Sequence, residues 1–193
     1  MRSAAQRITE PAIEPVSVET LRLHLRLDTT ETDELLTLYL SAARATVERY
    51  LRRQLITATW EWSAEAFQAC IALPYPPLQS VDHILYLDTQ SVPQFLAPSV
   101  YLVNTASTPG SVTLASNQTF PSLANSQSGQ EVRIQYQAGY GDTAGTIPAP
   151  IRSAILLLTA DLYENPTAQV EMRLQENRTL CFLLSMYRII EMA

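Results

Sequence analysis

The chain has 193 residues, 47% of them hydrophobic and 17% charged, with a formal net charge of −6. This is the composition of one globular domain of ordinary size, not of a disordered chain, and no apolar run approaches the roughly 18 residues that a membrane helix needs. All 13 basic residues are arginine, and residues 57–146 hold one of them (Arg133) against six acids (Glu61, Glu65, Asp82, Asp88, Glu131 and Asp142). The middle of the chain therefore lacks the basic footprint of a sequence-specific DNA reader.

Residues 1–15 carry two prolines and little periodicity, which predicts a flexible N-terminal arm; with no continuous apolar stretch, they do not read as a secretory signal. Ser17 is placed to cap a short helix from Val18 to about Leu25, with Val18, Leu21 and Leu25 on one face. The polar run 28–33 breaks the pattern, and Thr30 with Asp33 three places on has the capping-box spacing. A long second helix follows, because Leu36, Leu40, Ala43, Val47, Tyr50 and Leu51 recur every three or four residues. Glu48 and Arg52 stand at i and i+4, and Arg44, Arg49, Arg52 and Arg53 crowd its second half, where cations suit the helix end.

From Thr57 the period changes to two. Trp60 and Trp62 share one face of a strand; Cys70 to Leu73 is a short strand stopped by Pro74, Pro76 and Pro77. Val81 to Leu87 is apolar on both faces, which predicts a central strand covered twice. Tyr101 to Val103 and Val112 to Leu114 are weaker strands, and the Ser/Asn/Gln/Gly-rich stretch from Ala115 to Gln130 reads as a long, mobile loop. Val132, Ile134 and Tyr136 alternate with polar residues as in a half-buried strand. Beyond Gly139 and Gly141, Pro148 and Pro150 open a helix striped by Ile151, Ile155, Leu158 and Leu162, and Leu180, Leu183, Leu184 and Tyr187 mark a last one within 178–190.

No constellation of catalytic groups emerges. His24 and His83 are isolated from further ligands, Cys70 and Cys181 match no metal or redox spacing and read as small core hydrophobes, and no Gly-x-Ser-x-Gly occurs. The segment from Gly139 to Gly145 lacks the Lys-Ser/Thr ending of a phosphate loop and reads as a turn. Trp60 and Trp62 could form an aromatic platform for a ligand, but sheet packing accounts for them better. The expectation is a protein without enzyme activity, cofactor or metal.

The order of segments carries a resemblance. HLRLD closing a short helix, TETDELL, a long helix to ERYLRRQL, TATWEW, LPYPPLQSVDHILYLD, VRIQYQAGYG, IPAPIRSAILLLTADLYEN and LLSMYR follow one another from Val16 to Arg188. In this order the chain resembles the head-tail connector (adaptor) proteins of long-tailed bacteriophages and gene transfer agents; the longer insert from Ser107 to Gln130 departs from them. The resemblance implies an α+β fold, mainly a helical bundle, with two N-terminal helices plus C-terminal helices and a β-rich insertion in the middle. The organisation expected is an arm over 1–15 and a single connector domain over 16–193, with helices in 17–56 and 148–190 and the insertion at 57–140.

It further implies a ring, commonly of about twelve copies, seated under a portal protein and closed by heterologous contacts. Such a ring extends the DNA channel and docks the next connector (stopper) or a tail protein; DNA passes without sequence-specific binding, and no membrane takes part. By the resemblance the protein belongs in the virion neck, and the C-terminal segment 178–193 reaches the portal, with Arg178, Tyr187 and Arg188 as contacts. The alternative is a monomeric protein- or peptide-binding module that uses an open sheet edge and the Trp60/Trp62 face.

Overall fold

The computed structural model describes residues 3–124, 130–165 and 178–189. The chain divides into two compact units, Met1–Pro11 with Thr57–Gly139, and Ala12–Ile56 with Tyr140–Ala193.

The first unit is built from strands. A five-stranded antiparallel sheet has the order β1-β2-β8-β4-β5, with β1 Ser3–Arg7, β2 Ala58–Ala64, β4 Leu78–Leu87, β5 Pro93–Phe95 and β8 Val132–Ala138. A three-stranded antiparallel sheet has the order β3-β7-β6, with β3 Cys70–Ala72, β6 Tyr101–Asn104 and β7 Ser111–Leu114. The predicted alternation on β8 is present: Val132, Ile134, Tyr136 and Ala138 are buried and the residues between them half-buried. Trp60, Trp62, Ile84, Ile134 and Tyr136 form the core with Ile71 and Val112 from the smaller sheet. Tyr136 anchors this core, its hydroxyl donating to the Pro74 carbonyl at 2.9 Å. Burial pushes that phenol well above its ordinary ionisation range.

The second unit is helical. Ser17 caps α1 (Val18–Leu25) by accepting from the Thr20 N–H at 3.2 Å. Then α2 (Asp33–Leu51) follows, α3 (Ala149–Glu164) begins behind Pro148, and α4 (Arg178–Ser185) has eight residues, as α1 does. Leu40, Val47 and Leu51 of α2 meet Ile151, Ile155 and Leu158 of α3 and Leu180 and Leu184 of α4 in one buried cluster. The stripes read from the sequence are those that pack.

The expectation of a mainly helical bundle is overturned. The described residues hold four helices and eight strands in two antiparallel sheets, an α+β chain with substantial strand content. Two strands carry no readable signal: Ser3–Arg7 lies in the segment read as a loose arm, and Pro93–Phe95 is three exposed residues. Both are edge strands, which exist because a neighbour offers free N–H and C=O groups and not because their own residues alternate. Three local readings also change. On β4 only Leu78 and Ile84 are buried, so it is central by pairing but not covered on both faces. Cys70 is exposed on β3, and Cys181 half-buried. The described part of the 115–130 loop is packed, with Phe120 stacked on Phe67 at 4.4 Å and the Ala124 N–H donating to the Leu87 carbonyl at 3.0 Å; residues 125–129 lie outside the described residues.

Candidate functional site

With no reactive constellation in the sequence, the surfaces that could meet other molecules become the site. The C-terminal segment is tied to the end of α2. On α4, Leu180 and Leu184 point into the helical core, leaving Phe182 (79% exposed) and Met186 (81% exposed) just beyond it turned outward. Beyond α4 the Ile189 N–H donates to the Leu51 carbonyl at 3.0 Å, and Arg53 Nε donates to the Tyr187 carbonyl at 2.5 Å. Arg188 lies over the Tyr50 ring, its guanidinium carbon 4.8 Å from the centroid. Tyr140 joins this corner, its phenol raised by burial against the opposing pull of the Arg53 guanidinium.

The three residues proposed from the sequence thus separate. Tyr187 and Arg188 come together at the C-terminal end of α2, Tyr187 half-buried and Arg188 exposed. Arg178 is exposed at the opposite end of α4. An Arg188 held over an aromatic ring is a presented cation, positioned before anything binds.

A buried polar network escaped the sequence reading. Arg44 Nε donates to Glu14 Oε2 at 2.8 Å and Arg44 Nη1 to Glu48 Oε2 at 3.1 Å. Glu48 Oε1 accepts from Gln54 Nε2 at 2.9 Å and from the Leu55 N–H at 3.2 Å. Arg44, Glu48 and Gln54 are all buried. The i and i+4 spacing of Arg44 and Glu48 was a signal in the sequence, but their burial was not, because neither lies on the apolar stripe. The network fixes the turn after α2, where Arg52 takes the left-handed conformation at φ 54°.

The tryptophans are core residues. Both are buried; Trp60 stacks on Tyr75 at 3.9 Å, with the Arg7 guanidinium 5.9 Å from its ring. They offer no open platform. Among the described residues no group of three His, Cys, Asp or Glu side chains could hold a metal ion, and no helix is long and apolar enough to cross a membrane. His24 is exposed on α1, and His83 packs edge-on to Phe95 at 5.3 Å. The turn 139–145 has Gly139 and Gly141 at positive φ, and a Cβ on Gly141 would come within 2.9 Å of the Thr146 side chain. Glycine serves geometry there.

The acids of the 57–146 stretch are dispersed. Glu65, Asp82 and Asp142 are exposed, Glu61 and Asp88 half-buried, and Glu131 buried. Asp88 accepts from the Val92 and Gln90 N–H groups, which lower its carboxyl below the usual range.

Comparison with known proteins adds the following. Residues 15–86 match the family described as phage gp6-like head-tail connector protein. A chain in the neck of an empty gene transfer agent particle with C6 symmetry has the same fold, with a TM-score of 0.78 at 23% identity, over 98% of this chain and 97% of that one. A chain in the virion of a native gene transfer agent particle gives 0.76 at 22% identity over the same shares, and one in a native neck with C12 symmetry gives 0.75 at 22%, again over 98% and 97%. No curated protein matches.

Proposed function

We infer, because residues 15–86 match the phage gp6-like head-tail connector family, that this chain is a structural head-tail connector in the neck of a tailed-phage or phage-like particle. The observation that carries the reading is the coincidence of that sequence match with a fold shared over 98% of the chain with proteins of particle necks. The chain works by geometry, without a catalytic step.

In this reading residues 16–193 act as one connector domain with the β-rich segment 57–140 inserted in it. Copies assemble side by side into a ring under the portal, the ring extends the DNA channel, and its far side docks a stopper or tail protein. Arg178, Tyr187 and Arg188 are the proposed portal contacts: two arginines suit carboxylates on a partner, and Phe182 and Met186 between them supply exposed apolar area. The excess of acids over residues 57–146, if it lines the lumen, repels DNA phosphates and lets the genome slide.

Mixing the purified chain with its portal and measuring the mass of the complex tests the reading. A ring-sized assembly on the portal is expected; a chain indifferent to portal refutes it. Arg188→Glu and Arg178→Glu should each weaken portal binding about tenfold while far-ultraviolet circular dichroism stays unchanged. A neck reconstruction with Glu65, Asp82 and Asp142 all far from the channel would remove the lumen assignment and leave the connector role standing.

A further inference from the structure

The smaller sheet carries no charge. Its strands β3, β6 and β7 lie within residues 66–81 and 89–130, and neither stretch contains an Asp, Glu, Lys, Arg or His. A surface that meets only water normally mixes charges of both signs over about a quarter of its positions.

Both outer strands of this sheet have an open edge. The Leu73 N–H donates to the Gly110 carbonyl at 2.9 Å and the Leu114 N–H to the Ala69 carbonyl at 3.2 Å. Bonds across an antiparallel pair alternate along each strand, so Ile71 faces β7 while Cys70 and Ala72 turn their N–H and C=O groups outward. On the other side the Ala115 N–H donates to the Val100 carbonyl at 2.9 Å. Leu102 and Asn104 therefore face β7, and the backbone groups of Tyr101 and Val103 point outward. These outward groups take no backbone partner among the described residues. Cys70 and Ala72 are exposed, as are Leu102 (58%) and Val103 (38%). The larger sheet differs, because its edge strand β5 begins on Pro93, which has no donor, and its edge strand β1 ends on Arg7. The edges of the small sheet have neither guard.

We propose that neighbouring copies of the chain join edge to edge, β6 of one beside β3 of the next, so that the small sheets continue from copy to copy. Both outer strands are antiparallel to β7 and so run the same way, and copies standing side by side in a ring set β6 parallel to the next β3. With Val103 beside Ile71 of the next copy, three hydrogen bonds form. The next copy's Cys70 N–H donates to the Tyr101 carbonyl, the Val103 N–H to the Cys70 carbonyl, and the Ala72 N–H to the Val103 carbonyl.

The side chains fit this register. Val103 pairs with Val112, which is buried with Ile71, so Val103 extends the core face across the junction. Leu102 then shares the outer face with Cys70 and Ala72, a large side chain over two small ones. A second copy is the occupant that the edges specify, because one edge supplies what the other lacks in size and in backbone groups. The contact is heterologous: it uses each edge once and propagates, whereas β6 against β6 would close at two copies. The inference rests on the connector reading, since a ring is what supplies the next copy.

Cross-linking on the assembled complex tests it. Leu102→Cys in a Cys181→Ser background, mixed with portal and treated with a short bismaleimide, should give a ladder of covalent oligomers extending beyond dimer, because each copy offers Cys70 to one neighbour and position 102 to the other. Adding Cys70→Ser should abolish the ladder. Val103→Pro removes an outward donor and no bond within the sheet, and should weaken ring assembly about tenfold while circular dichroism stays unchanged. A ring-sized complex that yields no ladder, or only dimers, overturns the proposal and leaves the connector reading standing. Dimers that persist in the Cys70→Ser variant overturn it too, since two β6 edges would then meet. A chain that never assembles on portal refutes the connector reading and this inference with it.

Discussion

Glu48 uses both carboxylate oxygens inside the helical unit, accepting from Arg44 on one side and from Gln54 and the Leu55 N–H on the other. Its removal would take one of the carboxylates from the buried Arg44 guanidinium and the side-chain acceptor from the Leu55 N–H. Glu48→Ala should therefore destabilise by about 3–5 kcal/mol in urea unfolding, and Glu48→Gln by less, since the amide retains an acceptor and Arg44 keeps Glu14. Tyr136 permits a prediction in pH. Its buried phenol is raised above the ordinary value of 10.0, so the neutral form is favoured in the folded state. Stability from this group is full below that value and falls as pH rises beyond it, because the unfolded chain then releases a proton that the folded one retains. Unfolding measured at stepwise pH should show this alkaline loss, and Tyr136→Phe should flatten it, at about 1 kcal/mol for the lost hydrogen bond to Pro74.

At the scale of elements, legibility followed the source of each element's order. Helices α1, α2 and α3 were readable because their apolar stripes are the surfaces that pack, and Ser17 marks where α1 starts. Ser17→Ala should cost about 1 kcal/mol. Strand β8 was readable because one of its faces is buried. Strands β1 and β5 were not, since their order comes from the strand beside them. The smaller sheet depends on a close approach that no propensity reveals: a Cβ on Gly110 would sit 2.4 Å from Leu78 Cβ. Gly110→Ala should destabilise by about 1–3 kcal/mol, seen as a lower urea midpoint at unchanged slope.

For the whole molecule, each unit has its own buried cluster, and the helical unit closes on itself where the strand-rich segment leaves it. The Tyr140 N–H donates to the Leu55 carbonyl at 2.9 Å, and Ile56 bridges Gly141. Replacing residues 57–139 with a short Gly/Ser linker should thus leave a cooperatively unfolding helical protein; a broad, non-cooperative transition would show that the helical cluster needs the sheets. Of the candidate site, the C-terminal segment and its arginines were visible in the sequence, whereas the stacking of Arg188 on Tyr50 required the chain to return to the end of α2.

The amino-acid order alone determined the helices, the capped start of α1 and the resemblance to head-tail connectors, whereas the Thr30–Asp33 spacing does not cap α2, whose N-cap Thr32 makes no side-chain hydrogen bond. These are written in short-range spacing and in residue chemistry, which need no partner distant in sequence. Only the tertiary structure decided that the strand content is substantial, that both tryptophans are enclosed, and that Arg44 and Glu48 are buried. Those outcomes depend on which segments meet across long stretches of chain, and no local pattern encodes a neighbour many residues away.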